Sequence, residues 1–86
     1  MKHAGDEALD EIEPLLREVR LLPGLIEKKR GIFYRKSQAF LHFHEDAAGM
    51  FADIKLGGDK DYTRLRVSTA AERKAFVAAA KKAVAS

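Results

Sequence analysis

Apolar positions recur every three or four residues near the start of the chain, every second residue through its middle, and at helical spacing again near its end. In the first block, Leu9, Ile12, Leu16 and Val19 form one stripe, and Asp6, Glu7, Asp10, Glu11, Glu13 and Glu18 fall on the opposite side, which predicts an amphipathic helix over 6–21. Acidic residues lead it and Arg17 and Arg20 close it, as the helix dipole prefers. Pro14 fits only if it lies in or beside a first turn, for example with Asp10 as N-cap and Glu13 completing a capping box. Pro23 and Gly24 in "LLPGL" then stop the helix.

From Gly31 to Val67 the period is two, in four segments: "GIFYR", "QAFLHFH", "GMFADIKL" and "TRLRV". Alternation assigns Ile32, Tyr34, Ala39, Leu41, Phe43, Met50, Ala52, Ile54, Leu56, Leu65 and Val67 to a core face. The other face takes Phe33, Arg35, Phe40, His42, His44, Phe51, Asp53, Lys55, Arg64 and Arg66. Loops at Lys36–Ser37, 45–48 and 57–62 give pairings that respect these faces: Phe33 with Phe40, His42 with Phe51, Asp53 with Arg66, Lys55 with Arg64. Thr69 and Glu72 form a capping box that opens a second helix over 69–84, with Phe76, Val77, Ala80 and Val84 as its stripe. The expected fold is α+β, a two-layer sandwich of order α-β-β-β-β-α, with a four-stranded antiparallel meander and both helices on the Ile32/Leu41/Ile54 face. Its other sheet face is open.

Length and charge narrow the function. A chain of 86 residues is one domain, 1–86, with 1–5 frayed, and buries only about 60–65% of its unfolded surface, which disfavours a large enclosed active site. No run approaches the roughly 18 apolar residues of a membrane span, there is no cysteine, and the acidic start has no signal-peptide core; the expectation is a cytoplasmic protein without membrane contact. Residues 1–18 hold two basic and six acidic side chains, net −4, so the remainder carries +7, a bias that suits an anionic partner and equally suits simple solubility.

The "LLPG" closing an amphipathic helix, Gly31 before the first strand, "FYRKSQAFLHF" and "GMFADIKL" resemble the first half of MmcQ/YjbR-like domains, over roughly residues 12–56. The resemblance implies a frataxin-like α/β sandwich, no settled activity and a suspected role in DNA binding. Because acidic ridges in frataxin-like proteins contact iron, it also draws attention to the acidic face of the first helix, where a solvated charged face belongs in any case. The chain departs from the family pattern in being short, with a compressed section after Leu56.

Three features carry candidate chemistry. His42 and His44, at i and i+2 on one strand, point the same way with Cα atoms about 7 Å apart and are weak candidates for a shared metal. A third ligand would be Asp53 or Glu45, since His3 falls in the frayed terminus; the alternative is a histidine pair at the wet end of a hairpin. The second feature is the open face, where Phe33, Phe40, Phe51 and His42 interleave with Arg35, Lys55, Arg64 and Arg66, the combination that stacks bases and holds phosphates in single-strand nucleic-acid binders. The same phenylalanines equally suit a protein partner or a homodimer. Third, Lys55 opposite Arg64 would set like charges side by side, and "EKKR" at 27–30 adds a basic cluster, either a phosphate contact or a solvated loop. No phosphate loop, GxSxG or HExxH occurs, so the expectation is a non-enzymatic binding module without a cofactor.

Overall fold

The computed structural model describes residues 2–57 and 61–85. The elements run β1 (Lys2–His3), α1 (Asp6–Glu11), α2 (Glu13–Arg20), β2 (Leu25–Lys29), β3 (Ile32–Arg35), β4 (Gln38–Asp46), β5 (Gly49–Ile54), β6 (Thr63–Arg66) and α3 (Ala70–Val84). The fold is α+β with an antiparallel sheet, but the described residues form three helices and six strands where two and four were expected. Strands β2 to β6 lie in sequence order, and β1 joins β4 separately. Among the described residues no helix is long and apolar enough to cross a membrane.

Pro14 explains the extra helix. It lacks the N–H that would bond to the carbonyl of Asp10, so the expected single helix breaks at Ile12, which ends α1 and begins α2 with no side-chain cap. The apolar stripe survives the break, because Leu9, Ile12, Leu15, Leu16 and Val19 are all buried.

The cluster at 27–30, read as a phosphate contact or a solvated loop, falls mostly on the edge strand β2. Two of its charges are paired: Arg20 of α2 donates to Glu27 at 2.6 and 3.1 Å and to Glu13 at 2.7 Å, and Arg30 reaches Asp10 and Glu13 at 2.8 Å each. Glu27 and Arg30 of the "EKKR" cluster therefore bind the helices and are not offered to phosphate. The guanidiniums of Arg30 and Arg20 hold the Glu13 carboxyl at about 2. Burial pushes Glu27 up, yet its bonds to Arg20 and to the Gly31 N–H leave it below the ordinary value.

The β3–β4 pairing carries a bulge that reverses one expected face. The two-residue turn at Lys36 and Ser37 keeps Tyr34 opposite Ala39, but the register shifts so that Phe33 faces Leu41 and Ile32 faces His42. Phe40 is the extra residue, and it turns to the core beside Leu41. Phe33 and Phe40 are consequently 1% and 4% exposed, while Ile32 and Tyr34 move to the open side. Arg35 follows Phe33 to the helix side, where its guanidinium donates to the Val84 carbonyl at 3.2 Å, satisfying the C-terminal end of α3, and lies over the Phe40 ring.

The next two hairpins slip by two residues, which preserves faces and changes partners. The β4–β5 turn is Ala47–Ala48, so His42 faces Asp53, His44 faces Phe51, and Phe43 faces Ala52. In β5–β6, Asp53 faces Arg64 and Phe51 faces Arg66, so the like-charged Lys55–Arg64 pair does not form. The connecting loop expected at 57–62 falls partly on 58–60, outside the described residues. Gly49, at φ +128°, leaves room for Ser68, whose hydroxyl accepts from the Met50 N–H at 2.8 Å; a Cβ there would come within 2.3 Å of that oxygen. Thr69 and Glu72 form the expected capping box, and Phe76, Ala80 and Ala83 of α3 complete one core cluster shared by the helices and the sheet.

Candidate metal centre

Strand β4 has nine residues, and its neighbour β3 only four. The unpaired stretch beyond His42 is taken by β1, with His3 opposite His44 and Lys2 opposite Glu45. The Ala4 N–H donates to the Phe43 carbonyl at 3.1 Å, and the Gly5 N–H donates to Glu45 Oε2 at 2.7 Å. Residues 2–5, expected at a frayed end, are paired with β4. This pairing lays His3 against the histidine pair that alternation places on the open face.

His3, His42 and His44 each offer a ligand atom, and these atoms all lie within 4.8 Å of one another. The ring centroids are 5.3 Å apart for His3 and His42, 4.9 Å for His3 and His44, and 4.7 Å for His42 and His44. His42 Nδ1 and His44 Nε2 approach to 2.7 Å, close enough to share one proton. On the other side, His44 Nε2 is 3.1 Å from Asp53 Oδ2. Asp53 is in turn gripped by Arg64, whose Nε and Nη2 donate to its two oxygens at 2.8 Å each.

This geometry sets the charge state. Burial, with the adjacent His44 ring, holds His42 below the ordinary imidazole pKa; burial does the same for His44 and outweighs the pull of Asp53. Arg64 keeps the Asp53 carboxyl below its usual range. At neutral pH His42 and His44 are therefore neutral and Asp53 is charged, and neutral imidazole is the form that ligates metals. His44, only 7% exposed, also carries a buried Nδ1 with no hydrogen-bond partner among the described residues. A metal on Nε2 would put the ring proton on that Nδ1.

The aromatic platform expected on this face is reduced. Phe33, Arg35 and Phe40 lie on the helix side, whereas His42, Phe51, Lys55, Arg64 and Arg66 are on or beside the open one. Arg66 covers the Phe51 ring at 5.6 Å and lies 3.5 Å from Glu72. Tyr62 stacks edge-on against His42 at 4.6 Å, with Lys55 Nζ 5.0 Å from the tyrosine ring. Sequence reasoning set His3 aside as part of a frayed terminus and missed Tyr62. A two-residue strand has no periodicity to read, but a β4 segment longer than its expected neighbour signals a vacant edge that another strand can fill. The described members of the expected metal set divide: Glu45 bonds the Gly5 backbone, and Asp53 approaches the histidines.

No protein-family model, curated protein or solved structure matches this chain, so the resemblance to MmcQ/YjbR-like domains stands on its motifs alone.

Proposed function

We propose that this chain is a small binding module whose open sheet face holds one divalent transition metal, of the zinc class, on His3, His42 and His44. The observation that carries the reading is the convergence of three imidazoles from two strands within 4.8 Å. A tetrahedral zinc with Zn–N bonds of about 2.0–2.1 Å needs nitrogens roughly 3.3 Å apart. Small ring rotations supply this: His42 and His44 open from 2.7 Å, and the widest pair closes. Three imidazoles suit zinc, copper or nickel far better than magnesium or calcium, which take oxygen ligands. Asp53, fixed by Arg64, orients His44 in the metal-free protein and stands within reach of an ion on its Nε2.

A nucleic-acid platform is a poorer fit to the same face, because two of its three phenylalanines are in the core and Arg64 is engaged by Asp53. A protein partner or second copy is favoured by one observation, the exposure of two large apolar side chains, Leu21 (84%) at the end of α2 and Ile26 (62%) on the edge strand β2. Light scattering over a range of concentrations tests it, and a constant monomer mass counts against it.

The metal reading is tested by titrating zinc into the protein while following the imidazole NMR signals. His3, His42 and His44 should shift together and saturate at one equivalent. Signals of His3 that stay in place through saturation would refute a three-histidine site.

A further inference from the structure

We infer that the metal held by His3, His42 and His44 carries an oxyanion of the phosphate type as its outer ligand, so that the open face binds such an anion only when the metal is present. The inference rests on the metal reading above and concerns what completes that site.

Three neutral imidazoles contribute nothing toward a divalent ion's two positive charges. Asp53 is the carboxylate beside them, and it is already bonded through both oxygens to Arg64. Whether or not Asp53 also touches the metal, the Asp53–Arg64 pair sums to zero. The ion's two charges therefore stay uncompensated by the groups around it.

The rest of the neighbourhood is cationic. Lys55 lies over Tyr62, which itself lies against His42. Arg64 meets the cluster through Asp53, which it holds at 2.8 Å and which lies 3.1 Å from His44 Nε2. One cross-strand row, His42–Asp53–Arg64, runs beside another, His44–Phe51–Arg66, so beyond the neutral Asp53–Arg64 pair the β6 side of the cluster carries Arg66, which lies over Phe51 and 3.5 Å from Glu72. A cation placed in such a setting is stabilised by an anion that meets the metal and the rim together, and phosphate offers several oxygens for metal, ammonium and guanidinium at once. The three histidines leave at least one coordination position for it. The dependence runs both ways: the anion gains the metal's charge, and the metal gains a neutralising ligand.

The test uses cobalt(II) as the metal and inorganic phosphate as the anion. Cobalt reports its own binding by the visible absorption of a tetrahedral site, and its unpaired electrons speed the phosphorus relaxation of any phosphate bound to it. The expected result is a cobalt spectrum that saturates at one equivalent, together with phosphorus relaxation that saturates with phosphate and exceeds that of the same cobalt concentration free in buffer. Protein without metal should leave phosphate relaxation unchanged. Lys55→Met should weaken phosphate about fivefold, the effect of one unit charge near 4 Å in water, while the cobalt spectrum persists. A normal cobalt spectrum with no phosphate effect would overturn this inference and leave the metal site standing. Phosphate binding that is equally strong without metal would also overturn it. Failure to form the tetrahedral cobalt spectrum would remove both.

Discussion

On one side of the sheet, Phe33, Leu41, Phe43, Ala52 and Ile54 are sealed against the helices, and the charges at that rim are matched, Arg20 between Glu13 and Glu27 and Arg30 between Asp10 and Glu13. On the other side, His42 and His44 are held neutral by burial, a buried nitrogen of His44 has no hydrogen-bond partner among the described residues, and a third histidine is brought up by a two-residue strand. The first side satisfies its polar groups internally, so its charges serve the fold. The second leaves donor atoms converging on a point with no carboxylate to spare, which is unfavourable for folding alone and useful for binding a cation.

The contrast between the faces is sharpest for phenylalanine. Phe33→Ala should cost about 3–5 kcal/mol in urea melts, as expected for a sealed core ring, and Phe51→Ala less than about half as much. Equal losses would mean that the bulge between Phe33 and Tyr34 does not direct Phe33 inward.

Next in size is the effect of His3. Because this side chain is exposed, His3→Ala should leave metal-free stability within about 0.5 kcal/mol. Zinc affinity should nonetheless fall roughly 100-fold, at least as much as the 10–100-fold typical of losing an outer-shell group. Competition against a chromophoric chelator measures it; unchanged affinity would exclude His3 as a ligand.

Arg20→Ala should cost about 1 kcal/mol, the scale of a partly exposed ion-pair network, in a manner that shrinks with salt and leaves zinc affinity alone. The buried histidines and Glu13 should also respond to acid in separate windows. The folded-state pKa values of His42 and His44 lie below 6.5, so their contribution to metal-free stability is complete above that pH and is lost as pH falls through the depressed values. Glu13, held at about 2, contributes fully above its ordinary 4.5 and loses that contribution between 4.5 and about 2. Thermal melts across pH should show a His44→Gln variant losing the first step and a Glu13→Gln variant losing the second.

Much of this was legible in the chain. Alternation separated Leu41 and Phe43 from His42 and His44 correctly, and the Thr69–Glu72 cap marks the start of α3. The hairpin slips changed partners without changing faces, since both are by an even number of residues. What could not be read was odd-numbered. The single extra residue at Phe40 moves Phe33 and Arg35 across the sheet, because bulges depend on how two strands twist against the helices and not on either strand's own pattern. β2 was obscured because charged residues at an edge strand look like a loop until Arg20 and Glu27 are seen to pair across space. The approach of His3 to the histidine pair was obscured for a similar reason, as a two-residue strand is defined only by the edge it fills.

X-ray absorption at the zinc edge of the protein loaded with one equivalent of zinc tests the three-histidine centre most directly. The account predicts three imidazole nitrogens at about 2.0–2.1 Å with oxygen in the remaining position. A shell of oxygens alone, or one with fewer than three imidazoles, would contradict it.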